Sequence, residues 1–120
     1  MKAFYFIANM ALVILVTSCV QKTYTKTVIY QLKVDTSLHN ITVGVRGNDK
    51  PLSWDKDLNL KAIDTASVYQ GTVTYKTGYK FTEVKFTING DYELKNDANR
   101  RVNFSDKDTT FYEATFNRNK

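Results

Sequence analysis

The chain has 120 residues, with 17 Lys and Arg against 12 Asp and Glu, one histidine and one cysteine. A single cysteine excludes an internal disulfide framework, and a single histidine cannot build a metal centre by itself. The basic residues are spread along the chain as Lys22, Lys26, Lys33, Lys50, Lys56, Lys61 and onward, without the stripe that nucleic-acid binding requires, and the length suits one domain with a modest core.

The first element is an export signal. MKAFYFIANMALVILVTSC opens on Lys2, continues through an apolar run from Ala3 to Val16 broken by Asn9, and closes with the small residues Thr17 and Ser18 before Cys19. The run is shorter than the roughly 20 residues a helix needs to cross a bilayer, so residues 1–18 read as a cleaved signal, with an uncleaved anchor as the alternative. Val16-Thr17-Ser18-Cys19 resembles the bacterial lipobox. That resemblance implies cleavage before Cys19 and a diacylglycerol on its sulfur, which holds the chain to a membrane of the cell envelope. Val20 stands where aspartate would signal inner-membrane retention, and QKTYTKT lacks the acidic pair of surface-exported lipoproteins. By that resemblance the expected location is the periplasmic face of the outer membrane, with residues 19–26 as lipidated cysteine and short tether.

From residue 27 the pattern is that of strands. In TVIYQLKV, Val28, Tyr30, Leu32 and Val34 alternate with Ile29, Gln31 and Lys33, and in ITVGVR, Ile41, Val43 and Val45 alternate with Thr42, Gly44 and Arg46. Further strands are predicted over 58–63, 68–75, 80–88, 92–94, 101–104 and 110–116. Turn signals separate them at Gly47-Asn48-Asp49, Lys76-Thr77-Gly78, Asn89-Gly90-Asp91 and Asn96-Asp97-Ala98-Asn99. Asn89-Gly90 predicts a two-residue hairpin, because both positions tolerate positive φ. Within KFTEVKFTI, alternation sends Thr82, Val84, Phe86 and Ile88 to the core and Phe81, Glu83, Lys85 and Thr87 outward, which makes Glu83 and Lys85 neighbours on an exposed face. Arg100-Arg101 reads as a solvated turn. Seven or eight short strands with no helix between them predict an all-β, antiparallel β-sandwich over residues 27–116, followed by a polar tail at 117–120.

The residues point away from catalysis. His39 lies in a Ser37-Leu38-His39-Asn40 turn with no nucleophile motif beside it, and reads as a surface residue. Asp55, Asp57 and Asn59 match the first ligand positions of a calcium loop, yet Leu60 replaces its glycine and Ala66 its bidentate acid. No spacing of carboxylates singles out a glycosidase pair.

Binding fits better. The order Val45-Arg46-Gly47, Pro51-Leu52-Ser53-Trp54-Asp55, Tyr69, Glu83-Val84-Lys85-Phe86, Asn89-Gly90, Tyr92-Glu93-Leu94 and Asn99-Arg100 resembles the pattern of starch-binding modules. These are carbohydrate-binding modules of families 20 and 48 and the related glycogen-binding domain of AMP-activated kinase β subunits, which run as "G…P.LG.W", "EYKF", a turn, "WE" and "NR". The similarity spans roughly residues 27 to 116 and implies an immunoglobulin-like sandwich. It also implies that Trp54, the chain's one tryptophan, stacks on the apolar face of a glucose ring while Lys85 and Asn99 hydrogen-bond its hydroxyls; the alternative for Trp54 is packing as a loop anchor over the sheet edge. Glu83 belongs to the same "EYKF" segment, and Tyr69 falls near a tyrosine of a second sugar site. Such sites commonly carry a second tryptophan, and counting back from Asn99-Arg100 puts Leu94 at its position, leaving Tyr92 or another aromatic to compensate. The expected protein is thus a non-catalytic lipoprotein that binds an α-glucan or related glycan and needs no cofactor. The alternative is an envelope structural or interaction module that uses a sheet edge to meet a partner protein.

Overall fold

The computed structural model of the chain describes residues 22–64 and 67–119. The signal expected at 1–18 and the lipidation expected at Cys19 fall outside the described residues. Among the described residues nine strands form, in chain order β1 (Tyr24–Lys33), β2 (Val43–Gly47), β3 (Leu58–Asn59), β4 (Lys61–Asp64), β5 (Val68–Thr77), β6 (Phe81–Ile88), β7 (Asp91–Tyr92), β8 (Arg100–Asn103) and β9 (Thr109–Thr115). They make an all-β sandwich of two sheets. One runs β4-β5-β1-β9; in the other, β2 joins β3 to β6, and β6 pairs with both β7 and β8 on its far side. Strand β1 begins at Tyr24, three residues ahead of the expected boundary.

Period-two alternation explains the layers. Val28, Tyr30 and Leu32 of β1, Val73 and Tyr75 of β5, Val43 and Val45 of β2, and Val84 and Phe86 of β6 are all buried between the sheets. The hydroxyls of Tyr30 and Tyr75 meet inside this core at 2.7 Å, so each polar tip is satisfied where water cannot reach it. Thr82 faces inward as expected, and its hydroxyl donates to Asp49 Oδ2 at 2.6 Å. At the β6–β7 turn Asn89 has φ 52° and Gly90 φ 81°, with Ile88 opposite Asp91, which is the two-residue hairpin that Asn-Gly predicts.

Other features depart from the sequence expectation, beginning with the strand predicted over 92–94, which is β7 at Asp91–Tyr92 and leaves out Glu93 and Leu94. The segment 58–63 is two strands in different sheets: β3 pairs with β2 and β4 with β5, and buried Leu60 marks the crossing. Strand β9 runs parallel to β1, a direction that alternation cannot encode. Arg100 is not in a solvated turn but in β8, 7% exposed. Its Nε and Nη2 reach the two carboxylate oxygens of Glu93 at 2.6 and 2.8 Å, and Glu93 is fully buried. The two charges bury together, which is the arrangement that lets an ion pair enter a core.

Candidate functional site

The face of β2 and β6 that points away from the core is assembled by register. Arg46 lies beside Lys85, and Gly44 beside Thr87, while Tyr92 flanks Thr87 from the other side. Tyr92 therefore points outward and its neighbour Glu93 inward. The segment 48–57 folds over this face from the end of β2.

Several contacts pin that segment. Leu52 is buried in the core, its N–H donates to the Asp49 carbonyl at 3.0 Å, and the Asn48 N–H donates to Glu83 O at 3.0 Å. At the other end the Asp57 carboxylate accepts from Arg46 Nε at 2.7 Å and from Thr87 Oγ1 at 2.8 Å. This contact engages one of the carboxylates of the calcium-loop match in an intramolecular ion pair. Two glycines allow the close approach: a Cβ on Gly44 would lie 2.8 Å from Asp57 Cβ, and one on Gly47 would lie 2.9 Å from both Glu83 O and Leu52 Cδ1.

Trp54 sits between these anchors, half-buried. Its carbonyl accepts from Arg46 Nη1 at 3.2 Å and from the Tyr92 hydroxyl. The indole and the Tyr92 ring have centroids 6.3 Å apart and are inclined by 56°. Arg46 lies 5.0 Å from the Tyr92 ring centre and donates to its hydroxyl at 3.1 Å. Hydrogen bonds to Tyr92 and then Asp57 hold the Arg46 guanidinium above even the ordinary arginine value, so its charge is permanent. A shallow hollow lined by Pro51, Trp54, Asp55, Thr74 and Lys76 opens beside the indole. Beyond Tyr92, a second groove of about 570 Å³ is lined by Ile88, Asp91, Leu94, Asp97 and Phe116 among others.

The residues singled out in the sequence are distributed unequally about this face. Lys85 is on it, but its Nζ donates to the carbonyls of Leu94 and Asp97, both at 3.0 Å, which leaves one ammonium donor. Glu83 is half-buried opposite Arg101 on β8. Asn99 is exposed beyond Asp97 and lines a different hollow with Tyr112 and Asn119. Tyr69 is 7% exposed and Leu94 6%, so both side chains are committed to packing. Leu94 also has φ 48° and is clamped through its N–H to Asn117 Oδ1 at 2.8 Å. The ring beside Trp54 belongs to Tyr92. Sequence reasoning named Arg46 only as part of a motif and Asp57 only in a calcium-loop match, and did not pair them; the outward parity of Arg46 in ITVGVR was the available signal, whereas its contact with Asp57 depends on the course of the loop. No protein-family model matches the chain, and no curated protein matches it.

Proposed function

We propose that this domain binds an α-glucan or related glycan on the outer face of β2 and β6, with Trp54 and Tyr92 as the platform and Arg46 and Lys85 as donors to the sugar hydroxyls. It would do so as a non-catalytic lipoprotein of the cell envelope, held by acylated Cys19. One observation carries the reading: the loop bearing Trp54 is anchored by Leu52, by Asp57 and by the Asn48 N–H to the Glu83 carbonyl, so the half-buried indole is not needed to hold it. A pyranose presents C–H groups on one face and hydroxyls around its rim, which suits an aromatic surface bordered by cations. Rings inclined by 56° fit successive sugars of a curved α-linked chain better than those of a flat β-linked ribbon. The face is shallow, so the affinity should be about millimolar, about −4 kcal/mol.

Affinity electrophoresis in gels containing soluble α-glucan tests this. The wild type should be retarded, Trp54→Ala and Tyr92→Ala should migrate as in a glucan-free gel, and Tyr92→Phe should keep most of the retardation. Melting temperatures of the Trp54→Ala and wild-type proteins should nearly coincide. A wild type that ignores α-glucan, together with a Trp54→Ala variant that melts several degrees lower, would make the indole a loop anchor. A second reading then takes over, supported by Phe111, which is 69% exposed on edge strand β9: a sheet edge that meets a partner protein.

A further inference from the structure

The end of the sandwich where the chain enters the fold has its own surface chemistry. The carbonyl of Lys22 lies so close to the β5–β6 turn that a Cβ on Gly78 would be 3.1 Å from it. Tyr24 and Tyr79 stand at this end 58% and 71% exposed, and they share a groove with Lys26, Lys80, Phe104 and Asp106. The Lys26 ammonium donates to the carbonyls of Ser105 and Lys107 at 3.0 and 3.1 Å, which fixes the 105–108 loop as the wall of that groove. Lys22, Lys26, Lys80 and Lys107 outnumber Asp106 and Asp108 here, so the end is positive.

Two exposed phenols among lysines are poorly explained by water. A tyrosine ring with its polar tip is at home at the level of phospholipid headgroups, and lysines are drawn to an anionic bilayer. The chain itself sets the distance. Val20 and Gln21 alone separate Cys19 from Lys22, and at about 3.3–3.6 Å per residue that stretch reaches about 10 Å at most. This is close to the screening length of ~8 Å at physiological ionic strength. A domain tied at Cys19 must keep this end within reach of the headgroups.

We propose that this end docks on an anionic phospholipid surface, with Tyr24 and Tyr79 seated among the headgroups and the lysines against the phosphates. The sandwich then stands end-on, and the Asn89-Gly90 turn at the opposite end of β6 points away from the bilayer. The proposal rests on membrane attachment through Cys19.

The test uses the full chain, purified from membranes and reconstituted in vesicles of phosphatidylethanolamine and phosphatidylglycerol. Tyr79→Trp and Ile63→Trp are each placed in a Trp54→Phe background, so that one indole reports its position; Ile63 is 51% exposed and β4 ends opposite Val68 and hence near Lys33, at the far end of β1. With lipid brominated near the carbonyl end of its acyl chains, the Tyr79→Trp protein should lose most of its emission and the Ile63→Trp protein almost none. Adding Lys22→Glu and Lys80→Glu should restore much of the lost emission. If the protein floats with the vesicles but neither indole is quenched, or both are quenched equally, end-on docking is wrong while the anchor stands. If the protein does not float with the vesicles, the anchor reading fails and the docking proposal with it.

Discussion

Trp54 and Tyr92 illustrate how much one backbone carbonyl can organise: the Trp54 carbonyl receives both Arg46 and Tyr92, which sets the two rings at a fixed inclination without enclosing either. Elsewhere a pair of phenols is fully enclosed. Burial pushes the Tyr75 pKa up to about 12 from its ordinary 10.0, and burial together with the Tyr75 contact drives Tyr30 further above that range. A tyrosine whose folded-state pKa exceeds the unfolded one contributes stability that is complete below the unfolded value and is lost as pH rises through the folded one. Stability should therefore fall as pH climbs from 10 through about 12, as the buried pair is forced to ionise. Chemical denaturation at stepped pH should show this decline, and a Tyr30→Phe, Tyr75→Phe double variant should show much less of it. Of the residues around the candidate site, Trp54 and Lys85 were legible because they sit in recognisable motifs. The contact between Arg46 and Asp57 was not, since it depends on how a ten-residue loop turns.

Among the elements, alternation identified the long strands and the inward side of β6, because a half-buried strand must repeat its apolar residues every second position. It could not show that LNLKAI changes sheets at Leu60, since Leu58 and Leu60 have the same parity in either sheet. Nor could it show that β9 runs parallel to β1. The buried Glu93–Arg100 pair was hidden for a different reason: two charges seven positions apart read as solvent-facing until their partner is known. That pair connects elements. Glu93 accepts from the Phe86 N–H on β6 at 2.9 Å and the Asn117 N–H at 3.1 Å, while Arg100 on β8 donates to the carbonyls of Thr115 and Arg118 at 2.9 and 2.7 Å. The contacts join β6 and β8 of one sheet to the end of β9 in the other. Glu93→Ala leaves a buried guanidinium without its counter-charge and should cost about 3–5 kcal/mol in urea unfolding. A loss below about 1 kcal/mol, the range of a surface pair, would contradict this role.

For the whole molecule, the all-β sandwich followed from strand density alone, while the assignment of a glycan depends on which side chains the outer face leaves uncommitted. Lys85 retains a donor there, and the ring beside Trp54 is that of Tyr92, two positions before Leu94. Cys19→Ala should accumulate as a larger, unprocessed precursor and lose its partition into the detergent phase, because acyl chains are what give lasting attachment. An unchanged mature mass in that variant would remove the lipoprotein assignment.

The glycan claim meets its most direct test in the fluorescence of the wild-type chain, whose single tryptophan is Trp54. Stacking of a sugar on the indole replaces water at its face and should change the emission saturably, with a midpoint of about millimolar linear α-linked oligosaccharide. A β-linked oligosaccharide of equal length should have much less effect, and Tyr92→Ala should weaken the α-glucan response. Emission that stays constant across every α-glucan tried, in a chain with a cooperative unfolding transition, would contradict the account.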